Sequence, residues 1–150
     1  MAFREYHQLD ASVYLRVLED EIKGDYGLKS NYLSKLGRTF GCSISIHILG
    51  EIVNVICRES KNKLLRDQAL IVLGDFIKKQ NIEVQTILEE DIRLFHELRE
   101  LDYKSDEPEM LALAIDINKK ANVFMTFDED LLNRASLFKQ KYGIKVRKPI

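Results

Sequence analysis

Proline and glycine are scarce in this chain, with two and seven residues respectively. No Pro- or Gly-rich linker divides it, and no repeat or low-complexity tract runs through it. A length of 150 residues is therefore read as one domain, large enough to bury roughly 70% of its unfolded surface without disulfides. Long hydrophobic runs are also missing. The uninterrupted apolar stretches are only a few residues long, against the roughly 20 that a membrane span needs. The opening MAFREYHQLD has no apolar run suited to a signal peptide, so a cytoplasmic protein with no membrane contact is expected. The two cysteines, Cys42 and Cys57, lack partners at metal-finger spacing, which points to reduced thiols rather than a zinc site. No Gly-rich phosphate loop occurs, which speaks against nucleotide binding. His47 and Glu51 stand four apart, but no second histidine completes an HExxH pattern, so zinc chemistry is discounted. His7 and His96 read as ordinary core or surface residues.

Charge of one sign is not in excess overall. The formal net charge is −1, which argues against a protein that coats nucleic acid electrostatically. The distribution is uneven, however. Glu89 to Glu109 holds nine acids against three bases, whereas Arg134 to Ile150 holds six Lys or Arg and no acid. Either this is solvated surface or one pole is acidic and the other basic.

What is present is an alternation of strand-like and helix-like segments. Tyr6 to Leu9 predicts a strand ending at Asp10, followed by a helix through Val13, Leu15, Val17 and Leu18. Gly24 and Gly27 mark a turn, and a helix from about Lys29 to Leu36 is stopped by Gly37. Cys42 to Ile46 reads as a buried strand, and Glu51, Ile52, Val55 and Ile56 follow at helical spacing. Lys63 to Lys79 carries Leu64, Leu65, Ala69, Val72, Leu73, Phe76 and Ile77 at i, i+3 and i+4, an amphipathic helix that Asn81 ends. Glu83 to Thr86 predicts a strand, and Leu88 to Leu101 a helix with Ile92, Phe95 and Leu98 inward. Pro108 suits a first helical position. Its helix, through Met110, Leu111, Leu113, Ala114 and Ile117, is apolar nearly all round and should lie between layers. Val123 to Phe127, Leu131 to Lys141 and Ile144 to Arg147 read as strand, helix and edge strand. The alternation implies a mostly parallel sheet covered on both faces, a three-layer α/β/α sandwich.

Ligands of an open parallel sheet bind outside the carboxyl ends of its strands. Asp10 and Asp128 close two predicted strands there. Glu51 lies about one turn into the helix after the second strand, and Glu109 opens the apolar helix. Four carboxylates from four places are thus directed to one edge. Gathered closely they would repel one another, and some would stay protonated unless a cation were bound. Hard oxygen ligands select Mg2+ or Mn2+ over zinc or copper. Each acid also has an ordinary explanation. Asp106 and Glu109 fit a capping pair, Asp128 a helix cap, and Glu51 a solvated position. An acid between a buried strand and an apolar helix, as at Asp10, is the hardest to explain by packing.

Three segments carry a family resemblance. LDASVYLRVLED resembles the opening of PIN domains, where an Asp ending the first strand precedes a small polar pair and an apolar helix. SISIHILGEIVNVI resembles their second segment, with Glu51 as its acid. PEMLALAIDINKKANVFMTFDEDLLNRA resembles the third and fourth, in which an acid opens an Ala- and Leu-rich helix and a Thr-x-Asp-x-Asp stretch follows. Here that stretch is Thr126-Phe127-Asp128-Glu129-Asp130. The third acid of the family is usually Asp, where this chain has Glu109; Asp106, one turn earlier, is the alternative.

The resemblance implies metal-dependent endonucleolytic hydrolysis of single-stranded RNA that leaves a 5′-phosphate and a 3′-hydroxyl. Asp10, Glu109 and Asp128 would hold the cation, and Glu51 would complete its shell or orient water. Asp130 and Asp116 are secondary candidates, Asp116 as an outer-shell or solvated acid. Ser12 and Thr126 would hold carboxylates or a substrate phosphate by hydrogen bonds. Lys139, Lys141, Lys145, Arg147 and Lys148 would grip RNA backbone. Many small PIN proteins are toxins, so an antitoxin protein is an expected partner, as is a second copy of the chain. The competing reading is a degenerate PIN fold that binds RNA or protein without cutting.

Overall fold

The computed structural model of the chain describes residues 3–22, 32, 34–101 and 107–149. The turn expected at Gly24 and Gly27, half of the helix expected from Lys29, and Asp106 lie outside the described residues. Five parallel strands form one sheet: β1 (Tyr6–Leu9), β2 (Gly41–Ser45), β3 (Glu83–Gln85), β4 (Val123–Met125) and β5 (Lys145–Arg147), in the order β3-β2-β1-β4-β5. The helices are α1 (Ala11–Ile22), α2 (Ile46–Glu59), α3 (Lys63–Lys79), α4 (Glu89–Leu101), α5 (Glu107–Asn118), α6 (Glu129–Asn133) and α7 (Ala135–Tyr142). Among the described residues, no helix is long and apolar enough to cross a membrane.

Burial explains why the strands read as continuous apolar or small-residue runs. Every residue of β2 and of β4 is buried, as a sheet covered on both faces requires. Helix α5 lies across β1, β2 and β4. It buries Met110, Ala112, Leu113, Ala114, Ile115 and Asp116, so its all-round apolar character matches its place inside the sandwich. His7 is a core residue. It is 1% exposed, stacks on Phe40 with ring centroids 4.4 Å apart, and pairs through Nδ1 with the Tyr32 hydroxyl at 2.7 Å. His96 is on the surface. Cys42 is buried and Cys57 exposed, and both are free thiols.

The amphipathic face of α3 differs from the one read off its spacing. Ala69 and Leu73 are buried, while Leu64, Leu65, Ile71 and Val72 are 68%, 42%, 65% and 42% exposed. The helix packs mainly on α2 and not on the sheet, so only a narrow line of side chains is covered. Ile92 is likewise 46% exposed, whereas Leu98 and Asp91 of α4 are buried and Phe95 packs partly buried against the core. Asp91 accepts from the Leu88 amide at 2.9 Å and from Asn118 Nδ2 at 2.8 Å, tying α4 to the end of α5. The stretch expected as one helix from Leu131 is two, broken at Arg134, whose backbone leaves the helical region at φ −106°, ψ 13°.

Candidate active site at the sheet's switch point

The strand order runs outward from β1 to β2 and β3 on one side, then to β4 and β5 on the other. The direction of winding therefore reverses between β1 and β4. A crevice opens at such a point outside the carboxyl ends of the strands. Leu9 is in register with Met125, so Asp10 and Thr126 both lie one residue past their strands. The Asp10 amide donates to the Met125 carbonyl at 3.1 Å, which holds the two chain segments side by side.

Asp10 is 1% exposed. Its Oδ2 accepts from Thr126 Oγ1 at 2.7 Å and from Ser12 Oγ at 3.0 Å. Its Oδ1 is buried with no hydrogen-bond partner among the described residues. Burial raises the Asp10 pKa, and the two hydroxyls with the neighbouring Ala11 and Ser12 amides pull it back down. The same hydroxyls reach the other segment. Thr126 Oγ1 accepts from the Asp128 amide at 2.9 Å, and Ser12 Oγ from the Phe127 amide at 3.3 Å. Asp10, Ser12, Thr126 and Asp128 thus form one continuous hydrogen-bonded group. Asp128 also caps α6, its Oδ1 accepting from the Leu131 amide at 3.0 Å.

Glu51 and Glu109 come from a second junction. His47 Nε2 meets the Pro108 carbonyl at 2.8 Å, which ties the first turn of α2 to the first turn of α5. Glu51 lies one turn beyond His47, and Glu109 follows Pro108. Both acids are half-buried. Burial lowers the His47 pKa, against the opposing pull of the carbonyl. Among the described residues, no three His, Cys, Asp or Glu side chains stand close enough to hold one metal ion. The expected convergence is one of chain segments, not of carboxylate oxygens. Like charges do not gather without a cation, and Asp128 spends one oxygen on its helix cap. The orphaned Asp10 Oδ1 nevertheless fits a cation ligand: a buried acceptor without a donor costs free energy until something electropositive meets it.

Asp116 is neither solvated nor near this edge. It is fully buried, with no hydrogen-bond partner on either oxygen among the described residues. It stands seven residues beyond Glu109, about 10 Å further along the helix. Burial raises the Cys42 thiol pKa, and the nearby Asp116 carboxyl adds to the rise. Asp130 is exposed in the first turn of α6. The basic residues of the carboxyl-terminal stretch are spread along the β5 edge and partly engaged. Arg147 Nη2 pairs with Glu5 at 2.9 Å, Lys148 with Glu129 at 2.9 Å, and Lys141 with Glu97 at 3.9 Å; Lys139 and Lys145 are exposed. A crevice of about 780 Å³ opens between Tyr6, Gly41, Asn81 and Lys119, near the amino ends of β1 and β2, and holds none of these acids. The sequence reading passed over Arg16. Its guanidinium lies 4.4 Å from the centre of the Phe127 ring. Its one available signal was its spacing, one helical turn after Ser12.

No family model matches the sequence, and no curated protein is significantly similar to it. Solved structures are similar in fold. The VapBC2 complex of Rickettsia felis, bound to a DNA fragment from its promoter, contains a chain that matches with a TM-score of 0.68 at 18% identity, over 95% of this chain and 98% of that one. This chain has a PIN-like fold. VapBC-1 of nontypeable Haemophilus influenzae gives a TM-score of 0.66 at 12% identity, over 95% and 97% of the two chains. The sarcin-ricin-loop-cleaving toxin VapC20 of Mycobacterium tuberculosis gives 0.63 at 16%, over 85% and 93%. The PIN-like fold thus accounts for nearly the whole chain.

Proposed function

We propose that this chain is a divalent-metal-dependent endoribonuclease that hydrolyses phosphodiester bonds of single-stranded RNA, acting in the manner of a toxin. The observation that carries the reading is the buried Asp10 carboxylate at the switch point. One of its oxygens is held by two hydroxyls and the other is unpartnered among the described residues. Asp10, Glu109 and Asp128 would hold magnesium or manganese, with Glu51 beside them, and the ion would supply Lewis-acid activation of the phosphate and of water. Ser12 and Thr126 fix the Asp10 carboxylate in one orientation before anything binds, so no ordering cost falls on the reaction itself. The His47–Pro108 contact sets where the first turn of α5, and hence Glu109, meets α2. Lys139 and Lys145 are the exposed cations of the basic stretch left to meet RNA backbone beyond the site.

The likeness to VapBC complexes supports an antitoxin protein as partner, and the exposed apolar side chains of α3 give a protein surface something to cover. A second copy of the chain is the other candidate for that face. The competing reading, a degenerate PIN fold that binds RNA or protein without cutting, is favoured by Glu109 where PIN domains usually have Asp.

Cleavage of generic single-stranded RNA with added manganese tests the proposal. Asp10→Asn and Asp128→Asn should each lower the rate by roughly a hundredfold or more, since each removes a charged ligand worth several kcal/mol to the transition state. Glu109→Gln should do the same. If the unmodified protein leaves RNA intact while still binding it, the degenerate reading stands instead.

A further inference from the structure

We propose that Arg16 is a phosphate-binding residue of this edge, positioned for single-stranded RNA by Phe127. The inference rests on the nuclease reading for its substrate and on independent geometry for its site. Arg16 is exposed on α1, one turn after Ser12. Its guanidinium lies over the Phe127 ring at 4.4 Å. A cation held over a ring face is restrained there by the ring's quadrupole, and a guanidinium so restrained can offer a phosphate two parallel hydrogen bonds. Phe127 is itself anchored to the acidic group, because its amide donates to the Ser12 hydroxyl that also donates to Asp10. Arg16 is therefore carried by the two segments that carry Asp10 and Asp128.

Charge accounting singles out the same residue. The edge presents Asp10, Asp128, Glu129 and Asp130, and an RNA strand needs a cation to approach it. Lys148 is taken by Glu129 and Arg147 by Glu5. Arg16 takes part in none of the ion pairs of the described residues. Lysine could supply the charge but not the flat, forked fit to ring and phosphate.

The test compares Arg16→Gln, which keeps a stem and a planar amide but no charge, with Arg16→Lys, which keeps only the charge. Two readouts are needed: steady-state cleavage of single-stranded RNA with manganese, and affinity of the full-length chain for a fluorescein-labelled single-stranded RNA. Arg16→Gln should raise KM and weaken binding by about tenfold or more, the loss of one charge-assisted contact, with kcat changed less and Tm unchanged. Arg16→Lys should recover part of that loss. Unchanged KM and affinity in Arg16→Gln would overturn the assignment. If the unmodified chain cuts nothing, yet Arg16→Gln weakens RNA binding, the nuclease reading fails and the phosphate site stands.

Discussion

A carboxyl group shielded from solvent and without a hydrogen-bond donor ionises poorly, and among the described residues Asp116 is such a group. Burial lifts its pKa well above the ordinary carboxylate value. The folded state therefore keeps a proton that the unfolded chain loses above about pH 4. The stability this contributes is complete below the unfolded pKa. It is lost as pH rises toward the folded one, at about 1.4 kcal/mol per pH unit where only the unfolded state has ionised. Asp116→Asn removes that titration. Urea denaturation from about pH 4 to pH 8 should show the variant gaining on the unmodified protein as pH rises, with the gap levelling off above the folded pKa. A gap independent of pH would mean that Asp116 is ionised in the fold and finds a partner there. The sequence placed Asp116 on the helical face of Glu109 correctly. What it could not show is that this face turns under the sheet two turns later. Asp10 was legible for the opposite reason, since an acid between a buried strand and an apolar helix has few structural excuses.

Among the elements, α3 separates spacing from burial. Its span was read correctly from Lys63 to Lys79, because Asn62 caps one end and Asn81, in the left-handed region at φ 51°, terminates the other. Its buried face was read in part: Ala69 and Leu73 are buried and Phe76 and Ile77 pack against the core, while Leu64, Leu65 and Val72 are exposed, because apolar positions at helical spacing define a stripe but do not say how much of it a neighbour covers. The consequence is measurable. Leu73→Ala, at a buried position, should cost about 2–5 kcal/mol, while Ile71→Ser on the exposed side should stay within about 0.5 kcal/mol in urea denaturation of the isolated chain. Equal losses at both sites would mean that Ile71 is covered in solution, by a second copy or otherwise. The break between α6 and α7 was illegible for a local reason: Arg134 is neither Gly nor Pro, and nothing in its side chain announces a departure from helical geometry.

For the molecule as a whole, the place of the candidate site follows from strand order. Alternating strands and helices predicted a covered parallel sheet, but the order β3-β2-β1-β4-β5, with its reversal between β1 and β4, depends on tertiary pairing that no local pattern encodes. That reversal makes neighbours of Asp10 and Thr126, 116 residues apart in sequence, and sets Asp128 beside them. The rule that ligands gather at strand ends points to candidate acids; it does not give the distances among their oxygens. The central claim is that this edge hydrolyses RNA with a divalent cation and water. End-group analysis of the products tests it most directly, on single-stranded RNA cut with manganese, with and without EDTA. Metal-dependent hydrolysis should give 5′-phosphate and 3′-hydroxyl ends and no cutting in EDTA. Products ending in 2′,3′-cyclic phosphates, or cleavage that survives EDTA, would make the RNA's own 2′-hydroxyl the nucleophile and contradict it.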